Sequence, residues 1–95
     1  MQLVIVAPTG ILCRTTIDSI SLPGEAGAFT VLPRHAPIIA RLAAGTVRYE
    51  EQGKTERINI SGGFVRVHDD RIEVCAELSG GTDKNDLQTD DRIQS

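Results

Sequence analysis

Residues 55–77 read TERINISGGFVRVHDDRIEVCAE, and their apolar side chains recur at every second position. Ile58 and Ile60 share one face of a strand over 55–61, and Ile72, Val74 and Ala76 share one face of another over 71–77. Between them Gly62-Gly63 leads into a strand over 64–68, and Asp69-Asp70 reverses the chain. A period of two places alternate side chains on opposite faces of a pleated strand, whereas a helix would repeat every 3.6 residues. Glycine and aspartate tolerate the backbone angles that tight turns impose, so they mark where the strands end.

The same alternation extends toward the N-terminus. Residues 2–7 form a strand closed by Pro8-Thr9-Gly10, and 11–17 a second with Ile11, Cys13 and Ile17 on one parity. Ile20 and Leu22 fall on the opposite parity, which implies a bulge or break near Asp18-Ser19. Residues 23–27 make a glycine-bearing loop, followed by short strands over 28–32, 38–42 and 46–51, with turns at Ala44-Gly45 and Gln52-Gly53. The expected fold is all-β, an antiparallel β-sandwich of about ten short strands. After Leu78 the composition shifts: residues 79–95 hold only Leu87 and Ile93 as large apolar side chains. So few buried side chains do not offset ordering costs of about 1–2 kcal/mol per residue. The expected organisation is a sandwich domain over 1–78 and a polar flexible tail over 79–95.

Composition bounds the function. The chain has 95 residues, the size of one domain, and only three aromatics, Phe29, Tyr49 and Phe64, so Val, Ile and Leu must fill the core. Thirteen acidic against ten basic residues give a net charge of −3, the wrong sign for a nucleic-acid surface. Cys13 and Cys75 share no metal-ligand spacing and read as two buried free thiols in a reducing compartment. The apolar run Leu3-Val4-Ile5-Val6-Ala7 stops at Pro8, too short to cross a bilayer.

Candidate chemistry begins with residues 31–38, VLPRHAPI, where Arg34 and His35 lie between two prolines. Each proline fixes its own φ and biases the preceding residue, Leu32 or Ala36, toward extended geometry, so the loop is stiff. Stiffness suits a contact surface and an active site alike. A catalytic His35 or His68 needs a convergent nucleophile, and a zinc ligand needs two or three companions at ligand spacing; the sequence offers neither. Gly53-Lys54-Thr55 ends like a phosphate-binding loop but has Arg48 where the first glycine belongs and a strand where the helix belongs. Ser61 lacks the flanking glycines and following helix of a nucleophile elbow. The pairs Glu50-Glu51, Asp69-Asp70 and Asp90-Asp91 are neighbours in sequence, which on a strand sends them to opposite faces. The expectation is a protein without catalytic residues, metal or cofactor. Two other readings are weighed against it. A sugar- or peptide-binding sandwich needs an aromatic groove that three aromatics supply poorly, and a small hydrolase needs a nucleophile beside His35 or His68.

Two blocks decide between these readings. Residues 22–49, LPGEAGAFTVLPRHAPIIARLAAGTVRY, and residues 60–76, ISGGFVRVHDDRIEVCA, stand in the order and spacing of the epsilon subunit of F-type ATP synthases, which the first 78 residues resemble. The resemblance implies an N-terminal antiparallel sandwich. It also implies a non-catalytic rotor role in the central stalk, coupling rotation of the gamma subunit to the proteolipid ring during proton-driven ATP synthesis. The implied location is peripheral, at the cytoplasmic face of the bacterial inner membrane, and the implied partners are gamma and the ring. The helical pair that follows the sandwich in that family, and restrains hydrolysis there, has no counterpart expected in the polar tail. By the same resemblance Ala7, Arg34, His35, Pro37 and Ala40 face gamma, while Gly24, Glu25, Ala26, Gly27 and Ala28 face the ring. Ala28 stands where relatives often carry an acid, with Glu25 three residues before it. Thr30 and Arg34 stand where many relatives carry glycine.

Overall fold

A computed structural model describes residues 1–78 as eight strands with no helix. They are β1 (Gln2–Ala7), β2 (Gly10–Thr16), β3 (Ser19–Leu22), β4 (Phe29–Val31), β5 (Ile38–Leu42), β6 (Gly45–Glu51), β7 (Lys54–His68) and β8 (Arg71–Leu78). The strand order is β2-β1-β8-β7-β6-β3-β4, with β5 added to β7. The expectation of a flexible tail over 79–95 falls outside the described residues.

The expected all-β sandwich is present, with two corrections. There are eight strands rather than about ten, because 55–61 and 64–68 are halves of one fifteen-residue strand, β7. The sheet is also not antiparallel throughout: β1 lies parallel to β8, with Leu3 opposite Ile72 and Ile5 opposite Val74. Periodicity assigns strands but says nothing of which distant strand becomes a neighbour, so this pairing lies beyond its reach.

The first half of β7 pairs with β6, from Lys54 opposite Glu51 to Ile60 opposite Gly45. The second half pairs with β5 and β8 together. The register with β8 slips between Ile60 and Gly62, so Ser61 is the extra residue of a bulge, and Gly62 and Gly63 follow it in the ladder opposite Glu77 and Ala76. Gly63 has φ 146°, and a Cβ there would stand 2.1 Å from the Cys75 carbonyl oxygen. Contact between β2 and β6, which lie four places apart in the sheet order, shows that the sheet folds over into two layers. Cys13 Sγ on β2 lies 3.5 Å from the Tyr49 hydroxyl on β6, and the Thr15 hydroxyl donates to Glu51 Oε2 at 2.5 Å.

Between the layers lies one core. Leu3, Ile5, Val65, Ile72 and Val74 from the second layer (β5, the second half of β7, β8, β1 and β2) meet Ile20, Leu22, Val31, Val47 and Ile60 from the first (β4, β3, β6 and the first half of β7), each at most 1% exposed. Burying each such side chain contributes about 1.5–3 kcal/mol relative to leaving it exposed. Two inward-facing expectations are corrected. The register of β1 with β2 slips between Ile5 and Val6, leaving Leu12 unpaired and rotating Ile11 outward to 56% exposure. The cysteines are free as expected but half-buried rather than buried, Cys13 at the layer edge and Cys75 on the outer face of β8. The parity change near Asp18-Ser19 is a break: the chain leaves β1's neighbour and crosses to the other layer, where β3 pairs with β6.

The turns follow their local chemistry. Gln52-Gly53 (φ 51° and 82°) and Asp69-Asp70 (φ 51° and 60°) have both central residues left-handed, the pattern whose twist suits a two-residue hairpin. Gly53-Lys54-Thr55 is thus a hairpin turn entering β7, as expected.

Two outcomes are expected on unfolding in urea. Gly63→Ala must displace backbone as well as hold a left-handed φ, and should lower stability by about 3 kcal/mol. Gly10→Ala, where φ is 131° but no atom lies within 4 Å of the added carbon, should lower it by only about 1 kcal/mol. Equal losses would show that close approach at Gly63 is not what matters. The second concerns pH. The contact with Cys13, then burial, then the charges of Glu56 and Glu51 hold the Tyr49 phenol above its ordinary range. Above about pH 10 the unfolded chain releases that proton and the folded chain keeps it, so stability falls as pH rises. Tyr49→Phe should begin about 1 kcal/mol lower through the lost hydrogen bond, and its stability should decline less steeply above pH 10. Parallel curves would exclude Tyr49 as the titrating group.

Candidate functional site

The loop between β4 and β5 holds Arg34 and His35. The Leu32 carbonyl accepts the His35 N–H at 3.2 Å, closing a turn with Pro33 and Arg34 at its centre. Arg34 has φ 64°, so the turn combines proline at its second position with a left-handed third, the type II pattern that favours glycine there. This is the physical reason why glycine suits the position that arginine occupies here. The strained residue is held from outside: the Arg34 N–H donates to Asp70 Oδ1 at 2.7 Å. The Asp70 carbonyl in turn accepts the Gln2 N–H at 3.0 Å, so one turn residue fastens both the loop and the start of β1.

His35 is exposed, and its Nδ1–H donates to the Ala36 carbonyl at 2.7 Å, because a carbonyl can only accept. Beside the loop lie Pro37, Asp69 and Asp70, forming a shallow depression. His68 is half-buried at the end of β7. Its Nε2 has no hydrogen-bond partner, while its Nδ1 lies 3.4 Å from Asp69. Among the described residues no group of three His, Cys, Asp or Glu side chains could hold a metal ion.

Residues 24–28 occupy a separate place. The Glu25 N–H donates to the Arg41 carbonyl at 3.0 Å, and the Ala43 N–H to the Pro23 carbonyl at 2.7 Å, so the loop is tied to the end of β5. Its tip, Glu25 through Ala28, is exposed. Gly24 is packed closely: a Cβ would stand 2.6 Å from the Gly27 carbonyl and 2.9 Å from the Phe29 ring.

The residues expected to face gamma are only partly brought together. Arg34, His35 and Pro37 share the loop beside Asp70. Ala40 points inward from β5, half-buried against the core, and adjoins the 24–27 loop. Ala7 is 7% exposed at the far end of β1, about 17 Å along the strand from Gln2, where the Asp70 turn attaches.

A surface that the sequence reading did not single out lies on the outer face of β5, β7, β8, β1 and β2. One row of facing residues runs Arg41, Phe64, Cys75, Val6, Ile11, and the next runs Ile39, Arg66, Glu73, Val4, Arg14. Ile39 is 74% exposed and Phe64 49%. A signal for it existed: Leu3-Val4-Ile5-Val6 and Phe64-Val65 are apolar on both parities, the mark of strands covered on both faces.

Comparison with known proteins agrees with this architecture. Residues 1–78 match the family described as the ATP synthase delta/epsilon chain beta-sandwich domain. The chain is similar to an ATP synthase epsilon chain of Desulfitobacterium hafniense, 38% identical over 83 residues that cover 87% of this chain and 63% of that one. It therefore spans under two thirds of that relative's length. A Bacillus pumilus epsilon chain is 34% identical over 95 residues, covering all of this chain and 70% of its own. Among solved structures, a chain of the Euglena gracilis mitochondrial ATP synthase, OSCP/F1/c-ring, superposes with a TM-score of 0.73 at 26% identity, over 78% of this chain and 48% of that one. A chain from the Tetrahymena thermophila mitochondrial enzyme's central stalk and c-ring has the same fold, with a TM-score of 0.70 at 13% identity over 97% of this chain and 80% of its own. With the family match over its whole described length and relatives above 30% identity, the chain belongs to the ATP synthase delta/epsilon family, and residues 1–78 are its beta-sandwich domain.

Proposed function

We propose that this chain is a non-catalytic epsilon subunit of the central stalk, coupling rotation of the gamma subunit to the proteolipid ring of a rotary ATP synthase. The observation that carries the reading is the outer face of the second layer, where Ile39 and Phe64 stand exposed beside half-buried Val6 and Cys75. An apolar row on an otherwise charged surface is a contact face, and a rigid sheet behind it transmits load without yielding. Gamma covers this face and reaches the loop bearing Arg34, His35 and Pro37, with Ala7 and Ala40 at its margins. The ring meets Gly24, Glu25, Ala26, Gly27 and Ala28, whose tip is exposed and whose base is tied to β5. No bond is made or broken in the subunit, and it needs no cofactor. It stands peripherally at the cytoplasmic face of the bacterial inner membrane, held there through its partners; among the described residues no helix is long and apolar enough to cross a membrane.

The test is co-migration with the gamma subunit from the same source on size-exclusion chromatography at micromolar concentration. The native chain should co-migrate. Phe64→Asp should weaken the complex at least tenfold, since burial of an aromatic side chain is worth about 1.5–3 kcal/mol. Glu25→Lys should leave gamma binding intact and impair attachment of the gamma–epsilon pair to the ring. Failure of the native chain to co-migrate would remove the proposal.

A further inference from the structure

The outer face of the second layer is cationic in a chain whose net charge is −3. Four arginines, Arg14, Arg41, Arg66 and Arg71, face outward there against two glutamates, Glu73 and Glu77. The orientation of Arg14 follows from its neighbours, since Cys13 and Thr15 reach inward to Tyr49 and Glu51. That of Arg41 follows from Leu42, which is 2% exposed in the core. The Glu73 carboxylate serves two arginines, Arg66 at 2.9 Å and Arg71 at 3.7 Å. Among the described residues no carboxylate lies within 4.0 Å of Arg14 or Arg41.

These two arginines occupy opposite edges of the face. Arg14 lies on β2 opposite Val4, and Arg41 on β5 opposite Phe64. Five strands at about 4.8 Å spacing, with an offset of one row of about 7 Å, put them roughly 20 Å apart. The apolar side chains Val4, Val6, Cys75 and Phe64 lie between them, with the Arg66–Glu73 ion pair alongside and Ile39 next to Arg41 on β5. We infer that this face fits a protein surface with an apolar ridge flanked by two carboxylates roughly 20 Å apart, and that Arg14 and Arg41 select that partner by charge. The inference rests on the stalk reading above and gives its gamma contact a specific chemistry. A protein is favoured over an anionic lipid surface because the sheet fixes both cations at a set separation around a flat apolar row. A fluid headgroup layer has no use for such a template.

Calorimetric titration of the chain with the gamma subunit at about 20 mM and about 300 mM NaCl tests it, because exposed charges act strongly only at low salt. Arg14→Glu/Arg41→Glu should bind at least tenfold more weakly at low salt, with the gap narrowing at high salt. Lys54→Glu, the same type of charge reversal at the remote β6–β7 turn, should change affinity less than twofold. Circular dichroism confirms that each variant is folded. Gamma binding by the native chain that the double variant retains at full strength overturns this inference and leaves the stalk reading standing. No binding by the native chain overturns both. Vesicles containing phosphatidylglycerol form the second arm: binding to them that the double variant loses, with gamma affinity unchanged, assigns the arginines to lipid and also overturns the inference.

Discussion

Only a residue without a side chain fits at position 63, where a Cβ would stand 2.1 Å from the Cys75 carbonyl oxygen. That close approach lets β7 change partners midway, from β6 to β5 and β8, without ending. Two layers then share one continuous backbone, and their inner faces close on a single core of Val, Ile and Leu. The cross-layer contacts at Cys13–Tyr49 and Thr15–Glu51 need this geometry, since β2 and β6 are distant in the strand order. Loops on the rim inherit their positions from it.

Much of this was legible in the sequence, for reasons that can be stated. Alternation placed β1, β5, β6 and β8 within a residue or so, because a half-buried strand must alternate. The Gln52-Gly53 and Asp69-Asp70 turns followed from residues that accept positive φ. The glycine pair at 62–63 reads as a strand boundary and is instead part of one continuous strand beside a bulge at Ser61, since local composition cannot tell a bend from an end. Parallel pairing of β1 with β8 joins residues about seventy positions apart, and no local signal encodes it. Leu12 left the ladder for a similar reason: the slip depends on how β2 meets β1, not on β2 alone.

For the candidate site, motif order in 22–49 and 60–76 identified the family, and the structure supplies the cause of single residues. Arginine at 34 is tolerated in a left-handed turn because Asp70 anchors its amide. The two loops singled out by resemblance both lie at exposed edges with fastened bases. The broad outer face carries no motif of histidine or glycine; its signal is the run of strand residues apolar on both parities, which local motifs do not reveal.

The length of β7 has a mechanical consequence. Fifteen residues at about 3.3 Å each make a tie rod of roughly 50 Å, bonded to strands on both flanks over its second half. Ladder hydrogen bonds run across the strand direction, so tension along β7 loads them all at once in shear, whereas a pull across it would open them one after another. The sandwich is therefore strong along one axis and weak along the perpendicular one, like the grain in timber.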